Sequence, residues 1–482
     1  MKLTRRDFLR MTSALAAGAV LASCKPAATP APPAEEEKPA EVEEKKPAKP
    51  EEKIELVWMC RTNPVENPWE EDIVKPDFEA KHPNIKIKVM IIDQPDIGVK
   101  REAMIAAKQP LHVWSPNWGG DGFASDRYRG LLENLTPLIE SSGFDNSDFI
   151  PYAWHAYEIE GKMYGIPLLT CGSYVYINKD LFEEAGVDMP PTDWNDTTWT
   201  WDEMVSLGKK LTHDYDDIKK AAYGLSFPQL NLEGLPLVWG HMVWDDEAYD
   251  TGFVTKVECD DDISIKAYQA RHDLMYKDRV MPDSTIYSAL GELGGTFQSA
   301  KVAMNGTGGW GHWNYFGIWK EEEAGEQAFK WRAVPMPYGD TSYKGPRTII
   351  YTDPWSITSG LPQDEKEASW EFVAYLTTEE AGWAFSEATG TPPVRKSLLE
   401  DYFDLYKESM THEEVKEGFL GAYDYGIESS NHLLIRWEEL NETWTNLLAT
   451  LWNEPDAKAA EVMPKVQEAV QEACDRIREE EA

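Results

Sequence analysis

The apolar and polar positions divide the chain into three regimes. Residues 11–20 form a short apolar run behind Arg5, Arg6 and Arg10, and residues 25–53 are almost wholly Ala, Pro, Glu and Lys, with Val42 as the one larger apolar side chain. From Ile54 onward, short apolar stretches alternate with amphipathic ones to the end. Residues 54–59 read as a strand, and 85–92 alternate partly as a second. Between them 67–82 reads as a helix with Pro76 as an irregularity. A second helix ends at 104–108. Residues 111–114 then read as a short buried strand running into the turn-rich stretch 115–120. Strand, helix, strand, helix, strand in that order predicts an α/β sheet with its ligand loops at strand ends.

Further on, 161–167 reads as a turn followed by the start of a strand, and 173–180 as a strand ending in polar residues. Residues 181–187 follow as a short helix with Gly186 near its end. Thr200-Trp201-Asp202-Glu203 has the form of a capping box. It opens an amphipathic helix through Leu211, with Met204, Val205, Leu207 and Leu211 as its apolar stripe. Gly306, Gly308, Gly309 and Gly311 lack the G-K-[ST] ending and the strand–glycine–helix setting of a nucleotide site. They read as a bend that lets backbones approach closely.

The N-terminal regime then gains chemistry. Two adjacent arginines before a short apolar core resemble a twin-arginine export signal, and the core is too short to span a bilayer permanently. Small residues leading into Cys24 resemble a lipoprotein cleavage site, which makes Cys24 the first residue of the mature protein and its thiol the lipid carrier. The expected location is the extracytoplasmic face of the cell membrane. The Ala/Pro/Glu/Lys composition of 24–53 buries too little apolar area to offset ordering entropy, and so predicts a disordered, extended linker.

Composition narrows the body at 54–482. Its length favours more than one core. A net charge of −38 for the whole chain repels polyanions and excludes nucleic acid as an expected partner. Cys60, Cys171, Cys259 and Cys474 are scattered, with no C-x-x-C; they predict buried free thiols, with one or two bridges left open. The nine His are dispersed, and neither a metal nor a cofactor motif appears. Twenty Trp and 21 Tyr are the strongest anomaly. Most are expected to fill cores. As a set they predict an aromatic-lined pocket, whose flat faces and polar handles complement the C–H faces and hydroxyl edges of sugars.

Five pieces in order carry a resemblance. They are the G-K-M-Y-G-I-P run Gly161–Pro167, then Tyr176–Phe182 with Ile177 inserted before Asn178, and Thr200–Glu203. The F-Q-S-A-K-V-A-M-N-G-T-G-G-W run Phe297–Trp310 follows, and last the helix pair Ala368–Thr389 with Thr391-Pro392-Pro393-Val394-Arg395. His82-Pro83-Asn84-Ile85 adds a match near the start. This pattern resembles the family 1 extracellular solute-binding proteins, the sugar-binding components of ABC importers, across essentially all of 54–482. The resemblance implies an α/β, two-lobed periplasmic-binding-protein-like fold (type II), with hinge crossovers and a ligand cleft between lobes. Crossovers are expected near 168–172 and 348–354. Lobe 1 is then 54–168 plus 352–393, and lobe 2 is 172–347 plus 396–482. The implied function is capture of a carbohydrate, an oligosaccharide, by cleft closure and its delivery to membrane permease subunits. No catalysis and no cofactor are implied, and the expected state is a monomer.

Position at strand ends and in loops singles out Trp58, Arg61, Asn117, Trp118, Asp121, Tyr174, Trp239, His241, Trp310, Asp353 and Trp355 as ligand contacts. In the resembling maltodextrin-binding proteins the Trp at the place of Trp310 stacks on sugar. Arg395 reads as a structural ion-pair partner. Ala300 stands where the family prefers Gly. The loop 188–196 and the segment 228–252 depart from the family near expected ligand loops, which leaves the ligand open. Two other readings stay open: a secreted carbohydrate-active hydrolase using a carboxylate pair, and a same-fold receptor for a polyol, glycerol-phosphate or peptide. The acidic, Trp-rich composition leans away from phosphorylated ligands.

Overall fold

The computed structural model describes residues 53–228, 230–320 and 325–481. The expected leader, the lipidated Cys24 and all but the last residue of the linker lie outside the described residues.

β1 (Ile54–Arg61), β2 (Ile85–Ile92) and β3 (Val113–Trp114) open the body, and a small hairpin follows from β4 (Glu158–Ile159) and β5 (Lys162–Met163). β6 (Ile166–Asn178), β7 (Tyr223–Ser226), β8 (Val302–Gly308), β9 (Trp331–Val334), β10 (Thr348–Ile357) and β11 (Gly426–Glu428) complete the strands among the described residues. The main sheet runs β2-β1-β3-β10-β6-β8-β7, with β11 added on β10 and β9 on β6. β1 pairs parallel with β2 and β3, as βαβ crossovers require, and its last six residues are all buried. β6 is buried along all thirteen residues, so the strand expected at 173–180 is the second half of a longer one.

The helix expected over 67–82 forms as Glu66–Pro68, a π-helical turn at Trp69–Val74 and Lys75–Lys81. Pro76 sits in the first turn after the wide segment, where its missing N–H costs little. The helix Trp201–Leu211 starts with Thr200 Oγ1 accepting the Glu203 N–H at 3.1 Å. That is one side of the expected box; the complete reciprocal pair forms at Thr411 and Glu414. Gly186 caps Lys179–Ala185 in the left-handed region at φ +63°.

Three apolar clusters fill the interior. The first gathers β1, β3, the helices Gln363–Leu376 and Glu379–Thr389, and the start of β6; Trp58, Trp69, Trp355 and Phe372 lie at its centre. The second joins the helices Trp201–Leu211, Asp262–Tyr276, Trp437–Asn453 and Ala459–Glu481. The third is aromatic, with Tyr174, Tyr176, Phe297, Trp331, Tyr406 and Phe419 packed edge to face. The first cluster defines one body; the second and third share the other. Cys60, Cys171, Cys259 and Cys474 are buried free thiols. Gly309 shows why glycine recurs near the end of β8: a Cβ there would lie 2.0 Å from Cys171 Sγ.

Candidate functional site

The two segments expected to cross between lobes pair with each other. β10 runs antiparallel to β6, from Ile350 opposite Gly172 to Trp355 opposite Ile166. The register shifts between Asp353 and Pro354, where proline has no N–H for the ladder. Asp353 stands at that irregularity, and a polar cluster is built around it.

Arg61, at the end of β1, donates from Nε and Nη2 to both Glu66 oxygens at 2.8 and 2.7 Å, and its Nη1 lies 3.9 Å from Asp353. Its guanidinium sits 4.5 Å from the ring centre of Trp118 and 4.5 Å from that of Trp313. Burial works against the charge, but Glu66 and then Asp353 outweigh it, and the proton is held more firmly than in free arginine. Trp118 Nε1 donates to Asp353 Oδ2 at 2.9 Å. Asn117 Nδ2 donates to the Thr352 carbonyl at 2.8 Å and also meets the Tyr157 hydroxyl.

The other side of the cluster comes from the C-terminal part of the chain. Glu428 accepts the Thr352 N–H at 3.0 Å and the Thr352 hydroxyl at 3.1 Å. His432 bonds Glu428 through Nδ1, and its Nε2 stands 3.8 Å from Asp353. Next along, Glu233 accepts from Ser430 N–H at 3.2 Å, Trp244 Nε1 at 3.1 Å and Asn231 Nδ2 at 3.2 Å. Trp310 packs edge-on against Tyr351 at 5.0 Å, and Tyr351 against His432 at 6.2 Å. Trp313, on the short helix Gly311–Tyr315, packs on the first cluster, and Trp310, the residue that caps that helix, packs on the second. Buried atoms without a partner also gather at this seam: Asn117 Oδ1, Trp313 Nε1, Ser430 Oγ and Asn431 Oδ1. Such atoms are costly in a folded protein and mark places where a ligand can repay the cost.

The seam thus brings together Arg61, Asn117, Trp118 and Asp353 from the expected set, with Trp310 beside them. The others stand elsewhere. Trp58 and Trp355 are fully buried in the first core, edge to face at 5.2 Å, because a central strand buried on both faces carries its side chains inward. Tyr174 is locked in the aromatic cluster: its hydroxyl accepts the Gly172 N–H at 2.8 Å and donates to the Phe419 carbonyl at 3.1 Å. Asp121 pairs with Arg129 at 2.9 Å on the first body. His241 bonds the Glu258 carbonyl and Asp261. Trp239 packs on Trp201 at 4.8 Å in an outer groove of the second body. The loop 188–196, expected near the ligand, is pinned by Trp194 stacked on Tyr425 and by Arg347 Nη2 donating to the Trp194 carbonyl. Arg395 pairs with Asp148 at 3.6 Å, a structural role.

Glu233, Trp313, Tyr351, Glu428, Ser430 and His432 were missed. The polar run Glu428–His432, set against the apolar 433–435, was the available signal.

That outer groove has a volume of about 1270 Å³ and lies between the helices Trp201–Leu211 and Asp262–Tyr276. It belongs to one body alone. The seam joins two bodies and buries unpaired polar atoms, and is therefore the stronger candidate for a ligand that closes a cleft.

A receptor of this shape, two α/β bodies sharing paired strands, defines a class. Residues 74–412 match the bacterial extracellular solute-binding protein family, and the chain belongs to it. It is 23% identical over 343 residues to the multiple sugar-binding protein of Streptococcus mutans, covering 67% of this chain and 72% of that one. Among solved structures it is similar to an ABC substrate-binding protein of Listeria monocytogenes in complex with cycloalternan. That likeness has a TM-score of 0.70 at 19% identity and covers 88% of this chain and 99% of the other. It is also similar to a binding protein of Mycobacterium tuberculosis in complex with glycerophosphocholine. There the TM-score is 0.69 at 16% identity, covering 88% and 100%.

Proposed function

We propose that this protein is the extracytoplasmic receptor of an ABC importer, that it takes a carbohydrate, an oligosaccharide, between its two bodies, and that lipid on Cys24 keeps it at the membrane. The observation that carries the reading is the seam itself. Arg61 and Trp118 of the first body meet Trp313, on the short helix that follows β8 of the second, beside the paired strands β6 and β10. A ligand that bridges such a seam favours the closed arrangement by its differential contacts. Trp310 and Tyr351 offer faces for ring C–H groups, and Asp353, Asn117 and Glu428 offer acceptors for hydroxyls. The sugar-binding relative of Streptococcus mutans and the cycloalternan complex support the ligand class. The glycerophosphocholine complex is the counter-example. The Arg61 guanidinium at this seam is already committed to Glu66, which disfavours a phosphodiester.

In this reading the lobes are 54–168 plus 352–393 and 172–347 plus 396–482, hinged where β6 and β10 pair. Closure presents one composite surface to the permease, and the bound sugar leaves unchanged. A thermal-shift and Trp-fluorescence screen across mono- and oligosaccharides is expected to raise the melting temperature for at least one. Silence across the library, or new reducing ends appearing on incubation, sinks the proposal. Trp310→Ala is expected to weaken binding by at least thirtyfold while the fold persists; unchanged affinity returns that Trp to the core.

A further inference from the structure

Resting on the reading of the seam as the ligand site, we infer that the carbohydrate it takes carries a protonated amine. Four carboxylates face the seam: Glu66, Asp353, Glu428 and Glu233. Among the described residues, Arg61 and His432 stand against them. Arg61 gives both of its short bonds to Glu66 and keeps 3.9 Å from Asp353. His432 is shared between Glu428 and Asp353. Glu233 is 1% exposed and has no cationic partner among the described residues; Ser430 N–H, Trp244 Nε1 and Asn231 Nδ2 are its neutral donors. A buried carboxylate without a counter-ion is among the costlier features a fold retains. Among the described residues no three His, Cys, Asp or Glu converge as a metal ion needs, so the carboxylates are spread along the seam, not gathered at one point.

A second observation points the same way. The Ser430 hydroxyl, on a residue 1% exposed, has no partner, although the same residue's N–H holds Glu233. Asn117 Oδ1 and Asn431 Oδ1 are also unpaired acceptors. Beside an excess of carboxylates, unpaired acceptors call for donors and positive charge together. An ammonium group supplies up to three donors and the charge. A neutral hydroxyl supplies a donor without the charge, and a phosphate or uronate brings the wrong sign. The rings already accept a cation: Arg61 lies over Trp118 and under Trp313, both at 4.5 Å. Trp310 and Tyr351 extend the same aromatic wall toward His432.

The test uses the full chain and matched saccharides at pH 7. Glucosamine oligomers of two to four units are set against their N-acetylated and all-hydroxyl counterparts, and galactosamine and mannosamine against galactose and mannose, with titration calorimetry as the readout. In at least one set the amine member is expected to bind at least tenfold tighter. Glu233→Gln should reduce that advantage to within twofold. Should that variant not fold, the preference of the natural chain is followed into high salt, where a charge-based advantage shrinks and a shape-based one does not. A preference that survives Glu233→Gln or high salt overturns the inference. Equal or tighter binding of the neutral members overturns the amine and leaves the carbohydrate receptor standing. No binding by any saccharide, neutral panel included, removes both.

Discussion

The seam and the outer groove of the second body are built from similar residues to opposite effect. The groove is spacious, floored by Trp201 and Trp239 and rimmed by Lys209, Lys266, Asp273 and Asp340. Its charges are satisfied on the surface: Lys209 pairs with Asp278 at 2.7 Å, and Asp340 accepts from Ser342. Both of its tryptophans are 6% exposed, so their faces are spent on packing. The seam is tight, draws on both bodies, and leaves buried polar atoms unpaired. Volume marks where elements fail to meet. Unpaired polarity marks where a third party completes the structure.

The largest effect should separate these roles. Trp239→Ala is expected to cost about 3–5 kcal/mol of stability through the cavity it leaves, with ligand affinity of the surviving folded fraction within twofold. Chemical denaturation followed by calorimetry reads both; a large affinity loss would move the site into the groove. Next in size is a pH effect confined to the first body. Burial, with Glu66 nearby adding to it, pushes the Glu70 carboxyl up to about 7, against the opposing bond from Asn67. Asp126 is likewise pushed up to about 7 by burial, although Arg101 approaches to 3.0 Å, because no guanidinium N–H is aimed to bond it. Both groups hold a proton in the folded chain that the unfolded chain has already released. Their contribution is therefore full below about pH 4, falls as pH rises, and is gone above about 7. For Glu70 the change is about 3 kcal/mol. Denaturation midpoints of Glu70→Gln measured from pH 4 to 8 should lack that part of the slope; a slope identical to the natural chain's contradicts the assignment. The smallest effect is Lys266→Ala at the groove rim, expected to change stability by less than about 0.5 kcal/mol and affinity not at all. A measurable loss of affinity would revive the groove as a binding surface.

The abundance of tryptophan shows how far residue type reads without placement. Fifteen of the twenty are buried, so aromatic richness mostly reports core. Trp310 caps a short helix and Trp313 lies within it, three residues on, yet they pack on different clusters. The first was legible through its motif. The second was not, because nothing local tells which neighbour a helix face will meet. Asp353 was legible because it flanks the crossover expected near 348–354. Glu428 and His432 were not, since their partners lie some 75 residues away, across β10.

The sequence by itself determined the order of strands and helices, the helix caps at Gly186 and Thr200, the glycine bend at 306–311 and the family, because each rests on local propensity or on spacing along the chain. The tertiary structure alone decided that β6 and β10 pair with each other, that Trp58, Trp355 and Tyr174 vanish into cores, and that Arg61 is held against the rings of Trp118 and Trp313. Those outcomes depend on which surfaces meet after long loops close, and the free energy of such contacts is carried by neighbours in space that no window of the chain contains.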